Sequence, residues 1–359
     1  MSMLIAGIGT ANPPHRIAQA DASAITQQFA CETAAQERLF HTLYRRAGVE
    51  SRHSIVLDAT VGPLEGRQSF FGPENPTTRD RMSRYEASAG DLAVTAARAA
   101  LEESGLAPER VSHVVTVSCT GFYAPSFDAT LIKQLGFSRG VARTHVGFMG
   151  CHGLLNGLRV AKAYVEADES AVPLVCAVEL CSLHHQYGWN AERIVANALF
   201  ADGAGAVVGV GHGLAVARDA YRLLASGSTL IDDSEDAMSW RIGDRGFEMT
   251  LSARVPELIG QHLRPWLEAW LGQHGLDLGA VRSWAVHPGG PRILSAVAET
   301  LGLDRAALKV SQQVLAEFGN MSSPTILFIL DRLRRAGAGR PCVGLAFGPG
   351  LAVEVALLG

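Results

Sequence analysis

Cys151 stands in Gly-Phe-Met-Gly-Cys-His-Gly-Leu-Leu, where a β-rich run from Val141 to Phe148 gives way to an amphipathic stretch ending near Glu166. A helix starting at that junction puts the sulfur over its first turn, where unpaired backbone N–H groups and the positive end of the dipole favour a thiolate. Gly150 and Gly153 on either side permit a sharp turn and the close approach of a substrate. The competing reading is a buried structural thiol. Two distant segments decide between them. Ser-Trp-Ala-Val-His287-Pro-Gly-Gly-Pro ends an apolar strand in a histidine and a rigid turn that cannot continue it. Phe-Gly-Asn320-Met-Ser-Ser-Pro-Thr opens an apolar helix, Ile326 to Leu333, where Asn320 serves equally well as an N-cap. Together Cys151, His287 and Asn320 supply a nucleophile, a group able to stabilise its thiolate, and an amide donor for a developing oxyanion.

The elements that must position these residues alternate. Helical patterns cover Asp91 to Ser104, Phe127 to Leu135 and Cys151 to Glu166, and strand patterns cover Val111 to Ser118, Val141 to Phe148 and Ala171 to Leu180. The theme resumes with helices over Pro256–Leu271, Pro291–Leu301 and Thr325–Arg335 and strands over Trp284–His287, Cys342–Phe347 and Leu351–Leu357. Such alternation predicts an α/β fold with largely buried strands. A strand followed by a chemically special residue occurs at both Cys119 and His287, a hint of two related halves.

With 359 residues, 48% hydrophobic and 18% charged, the chain can bury a large core and is not expected to be disordered. Its net charge of -4 and scattered Lys and Arg argue against a nucleic-acid surface. No apolar run approaches the roughly 20 residues that span a bilayer, and Met-Ser-Met-Leu-Ile-Ala-Gly lacks a signal-peptide pattern, so no membrane insertion and a cytoplasmic location are expected. The six dispersed cysteines fit reduced thiols. Cys181-Ser-Leu-His184-His185 offers three potential metal ligands, but no second ligand pair accompanies it, so no metal is expected.

Six stretches, in order, resemble a type III polyketide synthase of the chalcone synthase superfamily: Gly-Ile-Gly-Thr-Ala-Asn-Pro-Pro, Gly150-Cys151, Ala198-Leu-Phe200-Ala-Asp-Gly-Ala, His287-Pro-Gly-Gly-Pro291, Phe318-Gly-Asn320-Met-Ser-Ser323 and Phe347-Gly-Pro-Gly350. They span nearly the whole chain. The resemblance implies a thiolase-like duplicated αβαβα architecture, divided near Gly211 to Gly213 into halves 1–212 and 213–359. It implies an acyltransferase that uses CoA thioesters without a further cofactor, acting as a homodimer. Cys151 is the expected nucleophile for an acyl-CoA starter, and His287 and Asn320 are expected to stabilise the enolate left when malonyl-CoA loses carbon dioxide. Phe200 and Phe247 match the family's gatekeeping phenylalanines, whose apolar faces shield the enolate from water. Thr120, Cys181 and Phe347 join the expected cavity lining, with Met238 near its floor. Arg45 and Arg46 in a helical segment, Arg292, and the backbone of Gly289 and Gly290 are the candidates for CoA.

The chain departs from the plant pattern at His152, Cys119 and Ala124, where phenylalanine, threonine and a methionine crossing the dimer are usual. The smaller Ala124 is expected to widen the cavity toward medium or long fatty acyl starters. The water-polarising set of stilbene-forming relatives corresponds to Cys119, Glu179 and Ser322. A thiol is the weaker donor, so closure to an alkylpyrone is expected over a resorcinol, with resorcinol- or chalcone-type products as alternatives. A ketoacyl-ACP synthase III shares the catalytic set but not the sequence after the histidine. A degradative thiolase needs a second cysteine absent from Phe347-Gly-Pro-Gly350, the context of Cys151 is not that of a cysteine hydrolase, and a non-catalytic scaffold would have lost one of the three residues.

Overall fold

The computed structural model describes residues 2–214, 217 and 219–359. The chain begins β1 (Met3–Ala11), β2 (Arg16–Ala18), α1 (Gln19–Thr26), α2 (Ala34–Arg46), β3 (Ser51–His53), α3 (Thr78–Ser104), β4 (His113–Ser118), α4 (Phe127–Leu135), β5 (Ala142–Gly147), α5 (Gly153–Ala167), β6 (Pro173–Leu180), α6 (Ala191–Leu199) and β7 (Asp202–Val210). It continues β8 (Tyr221–Leu230), β9 (Met238–Gly243), β10 (Gly246–Leu251), α7 (Val255–Gln273), β11 (Ser283–Val286), α8 (Pro291–Leu301), α9 (Lys309–Phe318), α10 (Thr325–Arg335), β12 (Cys342–Gly348) and β13 (Ala352–Leu358).

Nine strands hydrogen-bond in the order β11-β12-β13-β8-β1-β7-β6-β4-β5. Reading outward from β1, the partners β7, β6 and β4 join antiparallel, antiparallel and parallel. Reading outward from β8, β13, β12 and β11 join in the same three senses. The duplication is therefore visible in topology, and β4 and β11 occupy equivalent places. Cys119 follows one and His287 the other. The two half-sheets are hydrogen-bonded to each other through a short pairing of Met3–Ile5 with Tyr221–Leu223.

Strand alternation sends side chains to opposite faces and so builds five layers. Val114, Leu174 and Val208 face α3 and α4, while Val115, Val175 and Val207 share a second cluster with α5, α10 and the inner face of the other half-sheet, including Cys342, Ala346 and Ala356. Val343, Leu345 and Val355 face α7 and α8. The middle position explains α10, in which Thr325 to Leu330 are all buried and no polar face is needed. β6, β12 and β13 are buried throughout, as continuous apolar runs in covered sheets should be. Among the described residues no helix is long and apolar enough to cross a membrane.

Several element boundaries differ from the sequence expectation, two of them by more than a residue or two or at the site itself. α3 begins at Thr78 rather than Asp91, because Thr77 and Asp80 form a reciprocal capping box ahead of the apolar stripe. The stretch from Cys151 starts as a tight 3₁₀ turn, Gly150–His152, and the α-helix proper begins at Gly153. On the outer face, Ala96 and Ala100 of α3 sit on Gly7 and Gly9 of β1 so closely that a Cβ on Gly9 would fall on the Ala96 carbonyl oxygen. Gly9→Ala is therefore expected to lower stability by about 2 kcal/mol or more, seen as a fall in the urea midpoint at constant slope. An unchanged midpoint would contradict this packing.

Candidate active site

Three strand ends and one helix start converge beneath α2 and the β9–β10 hairpin. Cys151 is held in its turn by Gly150, whose φ of 68° lies in the left-handed region and whose missing Cβ is filled by Pro349. His287 leaves the end of β11 with its N–H donated to Leu345 O at 2.8 Å, one residue beyond the ladder with β12. Asn320 is fixed through its backbone, donating to Leu199 O at 2.8 Å and accepting from Ala201 N–H at 2.9 Å. That bridge ties it directly to Phe200. Asn320 is not the cap of α10, whose first turn follows Pro324. Its Oδ1 instead accepts the N–H of Ser322 at 2.8 Å, holding Ser322 at φ 55° and orienting the amide.

Cys151, His287 and Asn320 line one small chamber of about 350 Å³ with Phe200, Met238, Met249, Leu251, Gly289, Ile293 and Phe347. A second chamber of about 320 Å³ shares Cys151, Phe200 and Met238 and is bounded by Cys119, Thr120, Cys181, Trp240 and Ser322. The hairpin explains this wall. Met238 pairs with Leu251 and Trp240 with Met249, so alternation puts all four on one face. Trp240 and Met249 were not singled out from sequence, although Met-x-Trp and Phe-x-Met-x-Leu carry that alternation.

The outer groove is larger, about 1040 Å³, and runs between α2, α6 and the start of α8. Arg46, Arg292, Gly289 and Gly290 line it, and Leu251, Gly289 and Ile293 border both it and the catalytic chamber. A Cβ on Gly289 or Gly290 would come no nearer than 3.4 Å to other parts of the chain. Packing does not demand these glycines, and their bareness leaves the groove wall open. Arg45 is not in the lining; it is exposed and donates to Thr42 Oγ1 at 3.0 Å.

Other expectations are redirected. Ala124 is exposed and borders neither chamber of its own protomer. His152 is buried behind the chambers, with Nδ1 2.7 Å from Asn156 Oδ1, whose amide donates to Glu354. Phe247 is buried outside both chambers, its ring stacked on His184 at 4.2 Å. His184 accepts the Phe247 N–H at Nδ1 and reaches Thr120 O with Nε2, so its Nε2 carries the proton and its role is to hold that phenylalanine. Glu179 accepts from Cys119 N–H, Thr120 Oγ1 and Ser323 Oγ. The serines on the carboxylate are thus Ser323 and, at 3.4 Å, Ser118, not Ser322. Ser322 reaches the set only through the Cys119 sulfur, at 3.5 Å. Among the described residues no cluster of three or more His, Cys, Asp or Glu is arranged to hold a metal ion.

Burial dominates the charge states. It pushes the Cys151 thiol up to about 11, against smaller lowering effects of Ser322 and Asn320, and drives His287 down to about 3. The helix N-terminus does not outweigh desolvation. Glu179 is pushed up to about 7 by burial, with its hydrogen bonds opposing. Neither ring nitrogen of His287 has a partner among the described residues. Burial thus works against charge on both the thiol and the imidazole.

The chalcone and stilbene synthases N-terminal domain matches residues 1–213 and the C-terminal domain of the same name residues 222–359. The chain belongs to the chalcone and stilbene synthase family. As a type III polyketide synthase it is an acyltransferase of thiolase-like fold. It is 31% identical to the alpha-pyrone synthesis polyketide synthase-like Pks18 of Mycobacterium tuberculosis, over 98% of this chain and 89% of that one. It is 35% identical to the 1,3,6,8-tetrahydroxynaphthalene synthase of Streptomyces peucetius subsp. caesius, over 99% and 92%. The crystal structure of PKS-I from the brown alga Ectocarpus siliculosus superposes with a TM-score of 0.91 at 30% identity, covering 99% of this chain and 98% of that one.

For this synthase, carboxamidomethylation of Cys151 by iodoacetamide, followed by peptide mass, is expected to rise about tenfold per pH unit from pH 6 to 8.5, because thiolate grows at that rate below the thiol pKa. A plateau below pH 7 would mean that the thiolate is already formed.

Proposed function

We propose that Cys151 takes the acyl group from a medium or long fatty acyl-CoA and that His287 and Asn320 donate to the thioester oxygen of malonyl-CoA as it loses carbon dioxide. The enolate carbon then attacks the Cys151 thioester, and two or three such extensions end in an alkylpyrone. The observation that carries this reading is that the chamber lined by the three residues borders, at Leu251, Gly289 and Ile293, a groove carrying Arg46 and Arg292. Cationic guanidinium groups suit CoA phosphates, and the bare glycines suit the pantetheine arm. A neutral His287 still carries one ring N–H that can donate to the enolate oxygen.

Two features support pyrone closure. Glu179 is already filled by donors from Cys119, Thr120 and Ser323, which leaves it poorly placed to activate water for the resorcinol route. Pks18 bears alpha-pyrone synthesis in its name. The proposal takes CoA thioesters as the substrates, with no metal, in the cytoplasm. It also includes a homodimer, supported by the exposed edge strand β5 and by Phe122 and Met149, 40% and 38% exposed beside Phe148.

Incubation with malonyl-CoA and a panel of acyl-CoAs, read by product mass, tests the reading. Alkylpyrones from fatty starters are expected. Dominant resorcinols, a strong preference for aromatic starters, or tetrahydroxynaphthalene from malonyl-CoA alone would overturn it. Cys151→Ala is expected to abolish acyl adducts in intact-protein mass, whereas loading at Cys119 or Cys181 would displace it as nucleophile. His287→Ala and Asn320→Ala should each slow carbon dioxide release from malonyl-CoA by about 100-fold or more; wild-type release would remove that residue from the mechanism. Light scattering should give twice the chain mass across a wide concentration range, and a monomer mass would count against the dimer.

A further inference from the structure

The three-residue strand β3 carries a cation into the interior. Arg52 is 5% exposed, and each hydrogen bond it makes among the described residues goes to an uncharged oxygen. Its Nη1 donates to Asn197 O at 2.7 Å and to Phe200 O at 2.8 Å, and its Nη2 to Ala198 O at 2.6 Å and to the Gln19 side chain. Three of these acceptors close α6. The last carbonyls of a helix have no partner within it and form the negative end of its dipole. They are the uncharged oxygens best suited to a buried guanidinium, whose planar fork serves several acceptors at once. Gln19 adds a second donor to Ala198 O, its Nε2 at 2.9 Å.

The carbonyl that Arg52 leaves free in that turn, Leu199 O, is the one taken by the Asn320 N–H. Arg52 and Asn320 thus cap the same helix end, and Phe200 is the residue on which α6 stops. The approach is close: a Cβ on Gly319 would come 3.0 Å from Leu199 O and 3.6 Å from the Arg52 Cβ. The neighbours of Arg52 in β3 hold the chain leading to Asn320. Ser51 Oγ donates to Glu317 O at 3.0 Å, and the His53 ring stacks on Phe318 with centroids 6.3 Å apart. β3 therefore ties the end of α6 to the end of α9 and the residue that follows it. The Cys151 turn is held elsewhere, with Gly150 against Pro349, and no bond of Arg52 reaches it.

We propose that Arg52 is a positioning residue for the enolate-forming step. By holding the last turn of α6 it keeps the Asn320 amide and the Phe200 ring in register with each other, and it acts on decarboxylation and condensation rather than on the loading of Cys151. The inference rests on the assignment of Asn320 to carbon dioxide release made above and deepens it. Lysine at this position keeps the charge but gathers its donors on one nitrogen, which does not reproduce the reach of two guanidinium nitrogens to three carbonyls.

The test compares Arg52→Lys with wild type in three assays: acyl adduct on Cys151 by intact-protein mass, carbon dioxide release from malonyl-CoA alone, and product formed per carbon dioxide released. Adduct formation should stay within about twofold of wild type, while carbon dioxide release falls about tenfold or more, in kcat rather than KM, as misplacing a group at the chemistry does. Product per carbon dioxide should fall as well, because water that passes a displaced Phe200 protonates the enolate to acetyl-CoA. Urea unfolding shows whether the variant is folded under assay conditions. If it is not, Gln19→Met takes its place; it removes one anchor of Arg52 at similar volume and should cost about threefold in carbon dioxide release, the scale of one hydrogen bond, with loading unchanged. Wild-type release in the folded variant, or equal loss of loading and release, would overturn the inference, and the assignment of Asn320 survives that outcome as long as Asn320→Ala slows release. If Asn320→Ala releases carbon dioxide at the wild-type rate, that assignment falls and this inference falls with it.

Discussion

Bare backbone at Gly153 and Gly157 lets α5 lie directly on the central strands, and the catalytic geometry depends on that contact. A Cβ at either position would come within 2.9 Å of the Val117 side chain, so any larger residue would lift the helix. On the same half-sheet Gly205 of β7 admits Leu327 of α10 in the same way, since an added Cβ would come within 2.9 Å of that side chain. The middle layer is thus pinned between two half-sheets, which puts the turn before α5 and the turn before α10 side by side. Cys151 comes from the first and Asn320 from the second. Because protein interiors are packed to crystal-like density, neither turn can drift without disturbing both sheets.

That depth has an electrostatic cost with a chemical use. A site buried enough to exclude water disfavours charge on every group in it, the thiol and the imidazole included. The same exclusion strengthens any hydrogen bond made to a charge that develops later, during decarboxylation. Surrounding groups divide into those already saturated and those left open. His184 and Glu179 are saturated by the chain itself and serve as fixed walls, whereas both ring nitrogens of His287 have no partner among the described residues.

Much of this was legible in the residues. Cys151, His287 and Asn320 stood out because each combines a reactive or polar type with an interrupted element, and interruptions are where chains expose chemistry. The helices Pro291–Leu301 and Thr325–Arg335 were readable to the residue, since a proline or a polar turn opens each and an apolar stripe fills it. What escaped notice depended on pairing across distance. The β9–β10 hairpin was not recognised, so Trp240 and Met249 went unseen and Met238 was read without its face-mates. His152 was placed at the cavity by correspondence along the sequence, which cannot tell the inner side of a turn from the outer. Ser322 and Ser323 are adjacent, and only the left-handed backbone at Ser322 decides which hydroxyl meets Glu179.

β1 lies at the centre of the sheet, yet its partners come much later in the chain. Leu4 pairs with Val210 on one side and with Arg222 on the other. During synthesis, therefore, an apolar strand carrying Met3, Ile5 and Ile8 emerges early and waits for more than half of the molecule before β7 can cover its first edge. Closing so long a loop is entropically slow. Nascent-chain folding should accordingly show the first half consolidating only once β7 has emerged, and until then the unpaired strand is the segment most open to capture by a chaperone or by another chain.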